Sequence, residues 1–307
     1  MKNTSLQHIL VVGSSNTDMV IKAGHLPRPG ETVLGGTFFM NPGGKGANQA
    51  VSVARLGGQV TFICKTGNDI FGSQSKQLFE KEGIDISYLF SDPEHPSGVA
   101  LITVDANAEN CIVVASGANA NLLPSDISSV HEAIEKADII LMQLEIPIDT
   151  VKYVSRIAGK LNKKVILNPA PAQALDQELL QSLYLITPNE TEAEMISGIK
   201  ITGTDSLYAC AQAICDKGVQ SVIITLGAKG AFFYSNAYRE FIPTYEVNAI
   251  DTTAAGDVFN AALAVAISEG CGLPEAIRFA NKAAAISVTR IGAQSSVPYR
   301  NEVDVFV

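Results

Sequence analysis

The segment Asp251–Asp257 combines small residues, a glycine and two carboxylates immediately before an Ala-rich stretch. Small residues ending in glycine at a helix start leave backbone N–H groups open, and the helix dipole favours negative charge there. Such an anion hole can stabilise the charge that develops on a transferring phosphoryl group. Asp257 in the first turn could take a proton from an attacking hydroxyl. The alternative is that Asp257 only caps the helix.

A second segment with chemical potential is Asn41–Asn48, in which three glycines surround Lys45. Glycines let the backbone approach a ligand closely, and Lys45 and Asn48 supply hydrogen-bond donors. The segment is not a Walker A loop, because Phe39 stands where the first glycine should be and Gly46 follows the lysine where Ser or Thr should. A tight turn is the alternative, but a lysine inside the turn favours ligand binding.

Further polar side chains follow the apolar runs of the sequence. Ligands of open α/β sheets bind beyond the carboxyl ends of the strands, so these side chains should converge on one site. Each of them alone could be a turn or cap residue, but together they indicate a site. They are Asn16, Asp18, Glu145, Asn168, Asn189 and Glu192.

The elements that must position these residues alternate along most of the chain. Apolar runs predict strands at Ile9–Val12, Val60–Cys64, Asp138–Leu144, Lys164–Leu167, Leu183–Thr187 and Ser221–Thr225. Segments of helical period predict helices at Lys45–Leu56, Phe71–Glu82, Thr150–Leu161, Glu190–Ser197, Ser206–Lys217, Ala255–Glu269 and Pro274–Val288. Because most of the strands are apolar on both faces, we predict an α/β fold with a doubly wound, mainly parallel sheet and helices on both faces.

Two regions break this alternation, at about 16–42 and 95–116. The first contains a Pro-Gly turn and short apolar runs, and the second contains two strand-like runs around a polar turn, as a β-hairpin would. Neither region contains a crossover helix, so both are expected to form a small separate β-sheet. With no composition break or linker elsewhere, residues 1–307 are expected to be a single α/β domain with this β appendage.

Composition excludes several classes of function. The chain of 307 residues has 31 acidic and 22 basic residues and a formal net charge of −9, which argues against nucleic acid as a partner. The five cysteines form no C-x-x-C pair, which is typical of a reduced chain without a disulfide framework. No apolar run approaches the ~18 residues of a membrane span. With a polar start at Met1–His8, these features predict a cytoplasmic protein that does not enter a membrane.

Taken together, these motifs resemble the PfkB family of sugar and nucleoside kinases, and within it most closely the ribokinase group. The likeness extends from about Val11 to Arg300. The segments that carry it are Gly43–Asn48, Asn168–Pro171, Thr187–Glu192, Thr225–Gly227 and Asp251–Asp257. The resemblance implies the α/β kinase fold, in which the regions 16–42 and 95–116 form a β lid over the sugar.

The resemblance also implies a role for each matching position. Asp257 would be the general base, with the backbone of Ala254, Ala255 and Gly256 as the anion hole. The sugar site would comprise Asn16, Asp18, Gly44, Lys45, Asn48 and Glu145. Nucleotide and phosphate contacts would come from Asn189, Thr225, Gly227, Gly230, Gly256 and Asn281, with Glu192 linked to Mg²⁺. An activating K⁺ would be held, largely by backbone carbonyls, at Asp251, Thr253, Ser287, Arg290, Gly292 and Ser296.

The reaction implied by the resemblance is ATP-dependent phosphorylation of D-ribose at its 5-hydroxyl, giving ribose 5-phosphate. ATP is the co-substrate, Mg²⁺ and K⁺ are the implied ions, and the β lid is expected to pair two subunits in a homodimer. One alternative is a family kinase for another acceptor, such as deoxyribose, fructose or a nucleoside. The other is a catalytically silent sugar-binding regulator on the same fold.

Overall fold

The computed structural model describes residues 7–107 and 109–307. Its strands are β1 (His8–Val12), β2 (Asn16–Lys22), β3 (Thr37–Gly43), β4 (Gln59–Gly67), β5 (Leu89–Asp92), β6 (Gly98–Val104), β7 (Asn110–Ala115), β8 (Ile139–Met142), β9 (Lys164–Leu167), β10 (Leu185–Ile186), β11 (Ser221–Thr225), β12 (Ala231–Ser235) and β13 (Arg239–Ile242). Its helices are α1 (Lys45–Arg55), α2 (Ile70–Lys81), α3 (Pro124–Ser128), α4 (His131–Lys136), α5 (Ile148–Lys160), α6 (Gln177–Gln181), α7 (Glu190–Ser197), α8 (Thr204–Asp216), α9 (Ala255–Ser268), α10 (Leu273–Ser287) and α11 (Arg300–Val305).

The larger sheet has the strand order β13-β12-β11-β10-β9-β8-β1-β4-β5. All neighbours from β11 to β5 pair in parallel, and β12 and β13 add antiparallel strands at one edge. The strand order reverses beside β1, which lies between β8 and β4. Parallel strands that place their carboxyl ends at one edge form a ligand crevice at such a reversal.

Both faces of this sheet are buried, because its central strands are apolar throughout. In β1, Ile9 and Val11 belong to one core cluster, whereas Leu10 and Val12 belong to the other. This alternation follows from the two-residue period of a strand. Helices α1, α9 and α10 cover the first face, and α5, α7 and α8 cover the second. The predicted doubly wound α/β fold with helices on both faces is therefore confirmed.

A separate sheet has the order β3-β2-β6-β7. Strand β2 pairs antiparallel with β3 and parallel with β6, and β6 and β7 form the expected hairpin. Its strands come from the two regions that break the alternation, around 16–42 and 95–116. The β2–β3 pair starts at Asn16 opposite Gly43, so this sheet begins directly beside α1.

The structure also departs from the sequence prediction in detail. The antiparallel pair β12–β13 was not predicted, and the strand predicted at Asp138–Leu144 is confined to Ile139–Met142. The first six residues, which belong to the polar start used to predict a cytoplasmic protein, lie outside the described residues. Within residues 7–107 and 109–307, no helix has the length and apolar character needed to cross a bilayer.

Candidate active site

Two cavities meet where α9 begins. The first has a volume of about 430 Å³ and is lined by residues that include Lys45, Glu192 and Asp257. The second has a volume of about 860 Å³ and lies between the loop after β11 and helix α10. Gly227 and Gly256 line both cavities. A phosphoryl group carried by a molecule in the second cavity would therefore face the first at the α9 N-terminus.

The start of α9 has the backbone of an anion site. Ala254 precedes the helix with φ 61° and ψ 7°, a left-handed conformation that costs an alanine roughly 1–2 kcal/mol. Among the described residues, no side chain caps the helix. The N–H groups of its first turn therefore lack intrahelical partners and carry the positive end of the helix dipole. The Ala255 N–H donates to the Thr252 carbonyl, just before the helix, at 3.2 Å. The predicted residues Ala254, Ala255 and Gly256 all line the first cavity at this point.

Asp257 lies in the first turn of α9 and is 4% exposed. Its Oδ2 accepts a hydrogen bond from Asn48 Nδ2 at 3.0 Å, and its Oδ1 accepts one from Gln49 Nε2 at 3.0 Å. Burial raises the pKa of Asp257, while Lys45 and the two amides act in the opposite direction. A buried carboxylate with a raised pKa, next to an anion site, can act as a general base.

The α1 N-terminus meets the first residues of β2 at Gly44. Gly44 has φ 88°, and a Cβ there would lie 2.7 Å from the backbone nitrogen of Asn16. Only glycine fits this conformation and this close approach. The contact places the start of α1, with Lys45 and Asn48, beside the start of β2, with Asn16 and Asp18.

Glu145, which follows β8, is tied to the start of α1. Its Oε2 accepts hydrogen bonds from the backbone N–H of Lys45 at 2.9 Å and from Ser14 Oγ at 2.6 Å. Asn16 is oriented by Asn119, whose Nδ2 donates to Asn16 Oδ1 at 2.8 Å. The contact between Glu145 and Lys45 brings together two sequence-predicted residues that lie 100 positions apart in the chain.

Asp18 is a second carboxylate of this region with a raised pKa. Burial, and then the negative charges of Glu145 and Asp257, raise its pKa from 3.8 to about 6, while Lys45 acts against the shift. The pKa of Lys45 is itself raised: burial would lower it, but the surrounding carboxylates outweigh that effect. Lys45 therefore stays protonated among Asp18, Glu145 and Asp257.

Asn189 and Glu192 form the two halves of a capping box at the start of α7. Asn189 Oδ1 accepts from the backbone N–H of Glu192 at 2.8 Å, and Glu192 Oε2 accepts from that of Asn189 at 2.9 Å. Both residues line the first cavity, and burial raises the pKa of Glu192. A bridge between Asn189 and Thr225 places the end of β11 beside them.

The predicted nucleotide contacts Thr225, Gly227, Gly230 and Asn281 all line the second cavity. Asn281 Nδ2 donates to the carbonyl oxygens of Ile242 at 3.3 Å and Pro243 at 3.1 Å. Gly230 has φ 101°, and a Cβ there would lie 2.2 Å from the Ile242 oxygen. The end of β13 is thus fixed against both α10 and the turn after β11, which gives the cavity a defined wall.

The predicted potassium residues lie in two loops that Asp251 joins. Asp251 Oδ1 accepts from the backbone N–H of Thr253 at 2.9 Å, and its Oδ2 accepts from that of Gly292 at 2.8 Å. Burial would raise the pKa of Asp251, but these hydrogen bonds outweigh it and hold the pKa below its usual range.

The other side chains of the predicted potassium set are engaged elsewhere. The hydroxyl groups of Ser287 and Ser296 donate to Ala284 and Ala293 oxygens, and Arg290 pairs with Glu302. An ion at this place would therefore depend largely on backbone carbonyls, as the resemblance implies.

Comparison with models of protein families agrees with the resemblance seen in the sequence. The family model of the pfkB carbohydrate kinases matches residues 6–300 of the chain. The chain belongs to the PfkB family of carbohydrate kinases. The predicted membership is therefore confirmed, and with it the expectation of an ATP-dependent sugar kinase.

Relatives in the PfkB family cover almost the whole chain. A curated relative from Haemophilus influenzae, named ribokinase, is 46% identical over 299 residues, which are 97% of this chain and 98% of the relative. A relative from Salmonella typhi, named deoxyribokinase, is 38% identical and covers 94% of this chain and 95% of its own length. The solved structure of Arabidopsis thaliana ribokinase with ribose and ATP superposes with a TM-score of 0.91 at 31% identity, covering 97% of this chain and 98% of that one.

Several residues that the motifs did not reveal complete this PfkB site. Gln49 contacts Asp257, Asn119 orients Asn16, and Ser14 bridges Glu145 to the α1 N-terminus. Asn260 accepts from Thr187 Oγ1 at 2.6 Å and donates to the Gly256 carbonyl at 2.8 Å. Gln49 on α1 and Asn260 on α9 could have been predicted as site residues, because each follows a recognised motif on its own helix. Ser14 and Asn119 belong to no such motif.

Proposed function

We propose that this PfkB-family protein is a ribose kinase, which transfers the γ-phosphoryl group of ATP to the 5-hydroxyl of D-ribose and releases ADP and ribose 5-phosphate. The observation that carries the proposal is the position of Asp257. Its buried carboxylate lies in the first turn of α9, at the junction of a polar cavity with a larger one. An acceptor hydroxyl beside Asp257 would face a phosphoryl group at the α9 N-terminus.

The chemistry at this junction requires positioning and charge stabilisation more than covalent steps. Asp257 takes the proton of the 5-hydroxyl as the oxygen attacks the γ-phosphorus. The Gly256 N–H and the positive end of the α9 dipole stabilise the negative charge on the transferring group, and the Ala255 N–H would join them on leaving the Thr252 carbonyl, to which it donates at 3.2 Å. Lys45, held protonated by the carboxylates around it, adds positive charge on the acceptor side.

Sugar recognition would use the carboxylates and amides around β2 and α1. Asp18 and Glu145 accept hydrogen bonds from sugar hydroxyls, and Asn16 and Lys45 donate or bridge them. Asn48 Oδ1 is buried and has no hydrogen-bond partner among the described residues, while its Nδ2 is committed to Asp257. A buried acceptor of this kind is costly unless a ligand satisfies it, and a sugar hydroxyl can do so.

ATP would occupy the larger cavity, with Thr225, Gly227, Gly230, Asn281 and the Asn189 region as its contacts. Within the described residues, no group of three or more His, Cys, Asp or Glu side chains could hold a metal. Mg²⁺ binds mainly phosphates and waters and needs few protein carboxylates, so a single carboxylate beside the phosphates of ATP fits this ion. Glu192, which lines the first cavity, would hold that ion through its hydration shell, and the ion would neutralise phosphate charge during transfer.

An activating K⁺ would bind between the loops that Asp251 joins. The Asp251 carboxylate, whose pKa is held low, would supply negative charge there, and the carbonyls of Thr253, Ser287, Arg290, Gly292 and Ser296 would supply oxygen ligands. Because Thr253 immediately precedes the left-handed Ala254, an ion at this position would fix the backbone that opens α9.

The small sheet would act as a lid and as a dimer interface. We take residues 1–307 as one kinase domain, with the lid formed by about 16–42 and 95–116. Several large apolar side chains of this sheet are exposed: Ile21, Phe38, Met40, Leu101, Ile112, Val113 and Val114. By the strand register, Ile21, Phe38, Met40, Leu101 and Val113 share one face of the sheet. Exposed apolar surface of this kind marks an interaction site, which we take to receive a second copy of the chain. The five free cysteines and the use of ATP suit a cytoplasmic setting.

A second candidate acceptor is deoxyribose, since a relative that is named deoxyribokinase is 38% identical to this chain. The test is a panel of D-ribose, deoxyribose, fructose and a nucleoside in an ADP-release assay with ATP, Mg²⁺ and K⁺. We expect the highest kcat/KM with D-ribose. A higher value with deoxyribose would replace the proposed acceptor, and no turnover with any sugar would leave a silent sugar-binding protein.

A further inference from the structure

A chain of buried amides extends from Asp257 away from both cavities. Gln49 Nε2 donates to Asp257 Oδ1 at 3.0 Å, and Gln143 Nε2 donates to Gln49 Oε1. Gln49 lies on α1 and Gln143 follows β8, and both side chains are fully buried. The two residues lie 94 positions apart, so only the fold brings them together.

We propose that Gln49 and Gln143 form a positioning relay that holds the Asp257 carboxylate in its reactive orientation and charge state during phosphoryl transfer. The relay rests on the proposed function of Asp257 as the general base. Neither glutamine lines the cavities, so both would act through Asp257 and not on a substrate.

The charge of Asp257 sets the direction of every hydrogen bond in the relay. An ionised carboxylate only accepts hydrogen bonds, so Gln49 must turn its Nε2 toward Asp257. Gln49 Oε1 then faces away and requires a donor, which Gln143 Nε2 supplies. The amide dipoles are thus aligned so that their positive ends point to the carboxylate, and aligned hydrogen bonds strengthen one another in a low-dielectric interior.

The relay leaves one buried oxygen, on Gln143, without a hydrogen bond. Gln143 Oε1 is buried and has no hydrogen-bond partner among the described residues. It packs against Gly13, where a Cβ would lie 2.1 Å from that oxygen. Position 13, directly after β1, therefore has to be glycine for Gln143 to reach Gln49. A buried acceptor left without a partner is unfavourable, so the donated hydrogen bond has to compensate for it.

The relay also leaves Asp257 Oδ2 for chemistry. Oδ1 accepts the hydrogen bond from Gln49, whereas Oδ2 accepts one from Asn48 Nδ2. Asn48 belongs to the proposed sugar site, so Oδ2 lies on the side of the acceptor. The charged groups that act on Asp257 are Lys45 on α1, Asp18 on β2, Glu145 after β8 and Glu192 on α7. Burial and Glu145 raise the pKa of Asp257, and the charge of Asp257 in turn raises the pKa values of Asp18 and Glu192. Lys45 and the two amide donors are what oppose the rise at Asp257.

The test replaces the amides and measures kcat against pH at saturating D-ribose and ATP. In Gln49→Met the acidic limb of kcat should move up by about one pH unit, and plateau kcat should fall about ten-fold. KM for D-ribose should stay within about two-fold of the wild-type value, because the glutamine does not contact the sugar. Gln49→Glu keeps an acceptor for Gln143 but adds negative charge, so its acidic limb should move further.

The double variant tests whether Gln143 acts through Gln49. Gln143→Met should shift the limb in the same direction by a smaller amount, and Gln49→Met/Gln143→Met should be no slower than Gln49→Met alone. Ser268→Ala is the control, since it removes a buried hydrogen bond at the far end of α9 without touching Asp257. Its kcat–pH profile should match that of the wild type.

Three outcomes would overturn the relay: an unchanged limb in both single variants, additive losses in the double variant, or the same shift in Ser268→Ala. If Gln49→Met does not fold, as judged by thermal unfolding, the single Gln143→Met variant decides. If the wild-type protein turns over no sugar, the proposed function fails separately. The pKa of Asp257, measured by NMR of its carboxyl carbon in wild type and Gln49→Met, then decides on the relay alone.

Discussion

Ribose binding should depend on pH through Asp18. Burial and the nearby charges of Glu145 and Asp257 raise the pKa of Asp18 from 3.8 to about 6. Only the ionised carboxylate can accept hydrogen bonds from two sugar hydroxyls without presenting a proton of its own. The free protein should therefore lose affinity for ribose as the pH falls through 6.

The size of the effect follows from the fraction of Asp18 that is ionised. With a pKa of about 6, only about a tenth of Asp18 is ionised at pH 5, whereas with the ordinary value more than nine-tenths would be. The dissociation constant of D-ribose should therefore rise about ten-fold between pH 7 and pH 5. The shift of about two pKa units corresponds to a loss of about 3 kcal/mol in the free energy of unfolding of the sugar-free protein when Asp18 ionises.

The assay is isothermal titration calorimetry of D-ribose without ATP, at pH 5 and pH 7. Asp18→Asn should bind ribose at least about ten-fold more weakly at pH 7, with much less dependence on pH. Asp205→Asn, which removes an exposed carboxylate in the first turn of α8, is the matched control and should behave like the wild type.

Stability should change in the opposite direction from affinity. Because the pKa of Asp18 is raised on folding, its favourable contribution is complete below the unfolded pKa and is lost as the pH rises through about 6. Asp18→Asn removes this loss, so its Tm at pH 8 without sugar should exceed that of the wild type. A dissociation constant that does not change from pH 7 to pH 5, or a variant with lower Tm, would refute the reasoning.

Three further predictions concern the cation site, the lid and the orientation of the sugar site. Replacing K⁺ by Na⁺ should lower kcat if the loops joined by Asp251 hold the ion, and an unchanged rate would remove that site. Sedimentation velocity should report twice the 32.4 kDa of the chain if the small sheet pairs two copies, and a clean monomer would contradict the interface. Asn119→Ala should raise KM for D-ribose several-fold, by about 1 kcal/mol or more, because Asn16 loses its buried donor, while KM for ATP stays unchanged. An equal change in both KM values would mean that the substitution only damages the fold.

Much of the fold could be predicted because local sequence patterns agree with the helices and strands of the structure. Strands at Lys164–Leu167 and Ser221–Thr225 and the helix at Glu190–Ser197 have the predicted bounds. The helix is marked in the sequence by Asn189 and Glu192, whose reciprocal capping is visible in their spacing. The β12–β13 pair was missed because its short runs carry no helix between them and depend on the sheet edge for their conformation.

Residues of the candidate site could be predicted only where they belong to a short sequence motif. Glycine and lysine next to Asn48, and the small residues before Asp257, show their chemistry within a few positions. The hydrogen bonds that orient them connect residues that are distant in sequence: Asn119 with Asn16, and Gln143 with Gln49. An isolated Asn in a turn or Gln after a strand has no pattern that distinguishes a site residue from a structural one, so only the fold reveals these contacts.

The most direct measurement compares the wild type and Asp257→Asn with D-ribose, ATP, Mg²⁺ and K⁺, with ribose 5-phosphate detected by mass spectrometry. The wild type should form ribose 5-phosphate, and Asp257→Asn should keep its affinity for ribose while kcat falls by about 10²–10⁴-fold, the usual range for a general base. Near-normal turnover in Asp257→Asn, or no ribose 5-phosphate from the wild type, would contradict the central claim.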